Sequence, residues 1–167
     1  MKKSVFKILQ YYYPRKNILT LHSSVTENPD GTTTLMCGLS ATGKTALGLR
    51  SDTRKMIGDD ETCWTDEGVF NIEGGSYAKI IDLDKSTEPE IYNSIKFGTI
   101  VENASFYQNS REINFNDTTI TPNSRAAFPH KFIKNFKVPA VGSHPTNIIF
   151  LTCDTKGVLP PVAKLSH

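Results

Sequence analysis

Residues 38–45, Gly-Leu-Ser-Ala-Thr-Gly-Lys-Thr, match the pattern GxxxxGK[ST] in full. Small residues let successive backbone N–H groups curl around an anion, and the helix that follows aims its positive dipole end at the same point. Such a loop works between a strand and a helix, and the many strands and few helices expected along the chain make it mixed α/β with a sheet as its core. The flanks agree: residues 32–37 (Thr-Thr-Thr-Leu-Met-Cys) read as a strand, and a short helix ending near Leu49 can follow Lys44. In this pattern Lys44 reaches the β- and γ-phosphates of a nucleotide, and the Thr45 hydroxyl binds the magnesium that rides on them. Gly38, Leu39, Ser40, Ala41, Thr42, Gly43 and Ala46 complete the phosphate-binding segment.

A second acidic element, Gly58-Asp59-Asp60-Glu61, stands at the exit of a strand ending in Met56-Ile57. Hard cations on nucleotide phosphates take carboxylate oxygens, and two aspartates at a strand exit suit that role. A solvated acidic turn is the alternative for an isolated Asp-Asp pair. The position soon after Lys44 favours the cation.

The remaining pattern is strand-rich. Val5, Ile8, Leu9 and Tyr12 fall at i, i+3, i+4 and i+7, predicting an amphipathic opening helix stopped by Pro14. Strands are expected at 18–22, 69–72 and 79–83, a turn at 27–31, and extended segments at 99–107 and 112–115. A helix is expected over 88–96, with Ser86 or Thr87 as N-cap and Pro89 in its first turn. The β-branched, apolar run 147–153 reads as a buried strand.

Composition narrows the function. The 167 residues are enough for one domain with a real core. The 19 basic and 17 acidic residues leave a net charge of +2, which gives no basic face for nucleic acid. No apolar run approaches the roughly 20 residues of a bilayer span, and Lys7 and Gln10 interrupt the only stretch that imitates a signal peptide. Three cysteines without a CxxC pair read as free thiols in a reducing, cytoplasmic setting.

The phosphate loop and the acidic run stand in one order with Trp64, with Gly68-Val69-Phe70-Asn71-Ile72-Glu73-Gly74-Gly75, and with Tyr77-Ala78-Lys79. Glu88-Pro89-Glu90-Ile91 and Gly157-Val158-Leu159-Pro160-Pro161-Val162 continue that order. With these motifs the chain resembles ATP-dependent phosphoenolpyruvate carboxykinase, its fungal members above all, from Met1 to about Leu165. The resemblance implies the mixed α/β sheet of that family's P-loop nucleotide-binding domain, truncated at both ends, with residues 1–167 as a partial nucleotide- and metal-binding domain. It implies gluconeogenic conversion of oxaloacetate and ATP to phosphoenolpyruvate, ADP and carbon dioxide, with ATP, Mn2+ and Mg2+ at the site.

The same resemblance assigns residues. Lys3 (as a neutral amine), His22 and Asp60 match the family's manganese ligands, and the site should then depress the Lys3 pKa strongly. By residue type alone, Lys3 reads as a solvated terminal charge and His22 as a strand-end histidine. Asp59 would lie behind the metals or near the magnesium. Arg125 matches an arginine bridging substrate and the transferring phosphoryl group, a place suited to a planar, permanently charged fork. Glu88 matches a nucleotide-side contact and Lys79 is expected near the base, with a helical acid and a strand lysine as equal alternatives. Ala41 and Ala46 depart from the family's glycine and threonine, which suggests weakened nucleotide affinity. A long N-terminal domain and a C-terminal lid are absent from the resemblance. The isolated chain is therefore expected to show no turnover, and to self-associate through exposed apolar surface. The alternative is an inactive ATP- and metal-binding remnant.

Overall fold

The computed structural model describes residues 2–39, 42–50 and 53–165, with the Lys2 side chain left aside. Among the described residues, twelve strands and three α-helices form a mixed α/β fold dominated by strands. The larger sheet contains β1 (Leu19–Glu27), β2 (Thr33–Gly38), β3 (Lys55–Gly58), β4 (Glu61–Thr65), β5 (Gly68–Asn71), β11 (Val141–Gly142) and β12 (Pro145–Leu151). Its strand order is β11-β5-β4-β1-β2-β12, with β3 also paired to β1. All its pairs are antiparallel except β12 on β2. A smaller sheet, β6-β10-β7, is built from β6 (Gly75–Lys79), β7 (Ile100–Glu102) and β10 (Arg125–Pro129). The two-residue strands β8 (Ser105–Phe106) and β9 (Ile113–Asn114) pair as a separate ribbon.

β1 is the central strand, and its residues 23–26 are wholly buried. Asn28 and Gly31 close the turn between β1 and β2, with Gly31 at φ 82°, as the Asn-Pro-Asp-Gly sequence predicts. Helix α2 (Lys44–Leu49) packs on β1 and β2, and Gly48 makes that approach possible. A Cβ there would stand 2.5 Å from the Ser24 hydroxyl. Val25, Leu35, Ile57 and Val69 form one core cluster within the large sheet. A second cluster, with Met56, Ile80, Ile91, Ala126, Phe128 and Ile133, lies under the small sheet and helix α3 (Pro89–Ser94).

Several expectations from sequence need correction. Helix α1 (Lys2–Tyr12) forms, and a 3-10 turn at Tyr13–Lys16 ends it, but Val5, Ile8 and Tyr12 are more than half exposed. The inward side carries Phe6, which is buried, with Leu9 and Lys3 near it in helical spacing. The strand expected at 79–83 is β6, four residues earlier; Ile80 and Leu83 are buried in the turn that follows. Strands β4 and β10 had no sequence signal strong enough to be read. Helix α3 is shorter than 88–96 and has Glu88 at its N-cap position. Asp84 instead accepts the Ser86 and Thr87 backbone N–H groups.

The run expected to be a buried strand is β12, and it is largely exposed. It pairs with β2 on one edge only, and Phe150 is 71 % accessible. Its apolar residues satisfy β propensity without a covering layer.

Candidate functional site

The site grows from a break opposite β1. The first half of β1 pairs with β4 and the second half with β3, so the chain passes from β3 to β4 through Asp59-Asp60. The β1–β3 register shifts between Val25 and Thr26, and Asp60 takes the left-handed φ of 75°. Such bulges re-aim side chains beside functional sites, and aspartate tolerates this φ better than most residues. The two carboxylates serve different partners.

Asp59 is 3 % exposed and accepts the Thr45 hydroxyl, at 3.1 Å to Oδ1 and 3.0 Å to Oδ2. Thr45 lies in the first turn of α2, whose N-cap Gly43 has φ 92°, a conformation that favours glycine. The buried Lys44 ammonium folds back and donates to the carbonyls of Gly38 and Leu39, both at 2.9 Å. Thr42 donates to the Leu39 carbonyl at 2.7 Å, so the described part of the loop is held by its own side chains. Ser40 and Ala41, both expected in the phosphate-binding segment, lie outside the described residues.

Asp60 faces the other way. Lys3 donates to its Oδ2 at 2.7 Å, and His22 Nδ1 lies 2.8 Å from its Oδ1. Lys3 also reaches Glu61 Oε1 at 2.5 Å. The three residues expected as manganese ligands therefore meet, and Glu61, 1 % exposed, joins them. Glu61, part of the same acidic run, carries no role legible in the sequence; its cross-strand pairing with His22 is what brings it in. Donor atoms of His22, Asp60 and Glu61 lie within 4.8 Å of one another. One imidazole with carboxylates is a donor set that can hold a divalent cation. Burial pulls the Lys3 ammonium down, but its hydrogen bonds to Asp60 and Glu61 outweigh it and raise the pKa above the ordinary lysine value. The protein's own groups thus do the opposite of the expected depression, which needs the charge of a cation.

Arg125 lies on β10, directly opposite Lys79 of β6 and Glu102 of β7. It borders an open cavity of about 630 Å³ that also takes in Lys3, Tyr77, Glu102 and the Gly74-Gly75 backbone. Lys79 thus lies beside Arg125. Glu88 lies elsewhere, in a cavity of about 410 Å³ between Ala46, Leu49 and Arg50 of the α2 end and Ile91 of α3. The two weaker nucleotide assignments do not share a pocket.

Comparison with known proteins gives a consistent result. A family model described as Phosphoenolpyruvate carboxykinase, of the ATP-dependent type, matches residues 1–167. The chain is 52 % identical over 166 residues to Phosphoenolpyruvate carboxykinase (ATP) 1 of Arabidopsis thaliana, covering 99 % of this chain and 25 % of the relative. It is 51 % identical over 166 residues to a Salinibacter ruber relative named Phosphoenolpyruvate carboxykinase (ATP) 2, covering 99 % of this chain and 31 % of that protein. With the fungal Phosphoenolpyruvate carboxykinase (ATP) of Emericella nidulans it shares 55 % identity over 168 residues, covering 99 % of this chain and 28 % of that one. The chain spans about a quarter to a third of the length of these relatives. By this match across its whole length, and by the site that its motifs assemble, the chain belongs to the ATP-dependent phosphoenolpyruvate carboxykinase family, decarboxylating lyases.

Proposed function

We propose that residues 1–167 are the nucleotide- and metal-binding part of an enzyme that converts oxaloacetate and ATP to phosphoenolpyruvate, ADP and carbon dioxide, cytoplasmic and gluconeogenic. One observation carries this reading: consecutive aspartates serve a phosphate loop on one side and a metal-type cluster on the other. Asp59 accepts the Thr45 hydroxyl, and Asp60 lies between Lys3 and His22.

In this reading the loop from Gly38 to Ala46, with Lys44 as its cation, would cradle the β- and γ-phosphates, and the Thr45 hydroxyl, held by Asp59, would offer its oxygen to Mg2+. Glu88, which lines a cavity with Ala46, would contact the nucleotide. Lys3, His22 and Asp60 would hold Mn2+, which supplies Lewis-acid stabilisation for the oxygen left negative when carbon dioxide departs. Arg125 carries its charge into the cavity shared with Lys3, where a planar fork can neutralise the equatorial oxygens of the transferring phosphoryl group. Lys79, on the strand beside it, adds positive charge to the same sheet face. The exposed apolar strand β12 supports self-association.

Calorimetric titration with MnATP tests the reading. Binding that is lost in Lys44→Ala supports it; no binding to the unaltered chain overturns it. A coupled assay for phosphoenolpyruvate formed from oxaloacetate then separates a turning-over segment from one that only binds.

A further inference from the structure

The small sheet presents two faces of different character. Ala78, Ala126 and Phe128 are buried in the core, while Tyr77, Arg125 and Glu102 look into the 630 Å³ cavity. β10 is the middle strand, with β6 and β7 on its two sides. Arg125 stands opposite Lys79 on one side and Glu102 on the other, and Tyr77 is the next same-face residue of β6. The Tyr77 hydroxyl donates to Glu102 Oε1. To make that bond the side chain must cross β10, and it does so against Arg125, whose Cζ lies 5.2 Å from the ring centroid. A third hold comes from Asn123, whose Oδ1 accepts the Arg125 Nε–H at 3.0 Å. Burial and the Glu102 carboxylate push the Tyr77 phenol above its ordinary pKa, so it remains a donor at neutral pH.

An arginine side chain free to rotate loses much of its conformational entropy when it grips an anion, and prior fixation removes that loss from binding. A cation–π contact restrains the guanidinium plane while leaving its edge able to donate. We infer that Tyr77, tethered to Glu102, is a positioning residue that holds Arg125 in the cavity shared with Lys3, aligned for the terminal phosphoryl group of the nucleotide. The inference rests on the proposed contact between Arg125 and that phosphoryl group. It extends that reading to the ring that sets the arginine's direction and the acid that anchors the ring.

The experiment compares ATP with ADP, both as manganese complexes, by calorimetry on the purified chain and four variants. Arg125→Ala should lower the ATP affinity and leave ADP unchanged, abolishing any preference. Tyr77→Leu removes ring and tether, and Glu102→Ala removes the tether at an exposed position where folding is not at stake. Both should weaken ATP by about threefold to tenfold, the range for one lost hydrogen bond, with ADP unchanged. Tyr77→Phe, which keeps the ring, should fall between Tyr77→Leu and the unaltered chain. Equal losses for ATP and ADP would mean a purely structural sheet contact and overturn the inference. So would an unchanged ATP-to-ADP ratio in Glu102→Ala and Tyr77→Leu while Arg125→Ala lowers it. An unchanged ratio in Arg125→Ala itself would remove the assigned role of the arginine, and the positioning role with it. If Tyr77→Leu fails to fold, Glu102→Ala decides alone.

Discussion

At the residue scale, Lys44 unites two roles that one substitution removes together. Its buried ammonium closes the loop by bonding the Gly38 and Leu39 carbonyls, and in the proposed function the same charge meets phosphate. A hydrogen bond to a charged group contributes roughly 1.5–3 kcal/mol, so Lys44→Ala should weaken MnATP by about tenfold to a hundredfold or more. Titration calorimetry on the variant, with its folding checked by circular dichroism, measures this. Cys63 gives a prediction of another kind. Burial first, and the Glu61 carboxylate second, push its thiol from 9.0 up to about 11. A group with a raised pKa stabilises the fold fully below its unfolded value and ceases to do so as pH rises through the folded one. Between pH 9 and 11 the stability supplied by Cys63 should therefore fall by about 1.4 kcal/mol per pH unit. Urea unfolding of Cys63→Ala beside the unaltered chain should show a shallower decline in that window. The phosphate loop and the paired aspartates were legible, because they are local patterns tied to local chemistry, whereas Lys3, His22 and Arg125 entered only through the family resemblance. Glu61 and Tyr77 were not, because each acquires its role from a partner across a strand, and no spacing in the chain encodes that register.

At the element scale, α1 and β12 show where periodicity misleads. Apolar spacing in α1 was read from Val5, Ile8, Leu9 and Tyr12, yet Phe6 is the residue that docks it. The adjacent helical position Lys3 could be legible as an inward residue only once the docked side was known, since both sides of α1 carry apolar residues. Docking by Phe6 therefore positions Lys3 against Asp60 and Glu61. Phe6→Ala should cost about 3–5 kcal/mol if α1 folds with the rest of the chain, and less if α1 simply releases. In either case Mn2+ affinity, followed by electron paramagnetic resonance, should drop although Phe6 offers no ligand atom. β12 errs the other way, since an apolar, β-branched run identifies a strand but not the layer that covers it. Phe150→Lys should leave unfolding stability within about 0.5 kcal/mol, as befits an exposed position. It should also shift the chain toward monomer in sedimentation velocity, because a charged edge discourages pairing. Unchanged association would move the contact away from this strand.

For the whole molecule, the sheet class followed from the many strands and few helices expected along the chain, whereas the break in strand pairing at Asp59-Asp60 arises only when β1 is shared between β3 and β4. That break joins the two halves of the site by a single peptide bond. Asp59 is tied to the phosphate loop through Thr45, and Asp60 to Lys3 and His22, so displacement of one carboxylate is felt by the other. Binding at the two halves should accordingly be coupled, and coupling of binding free energies is reciprocal. With Mg2+ held saturating, Mn2+ should tighten ATP by some factor, and ATP should tighten Mn2+ by the same factor. Couplings of this kind are typically about fivefold to a hundredfold. Asp60→Asn tolerates the same left-handed backbone but removes the charge that the metal cluster needs. Its ATP affinity without Mn2+ should match that of the unaltered chain, while the coupling factor collapses toward one. A variant that loses Mn2+ binding yet leaves ATP affinity responsive to Mn2+ would show that the metal acts on the nucleotide directly. A loss of both binding and response, with basal ATP affinity intact, would locate the link in the two aspartates.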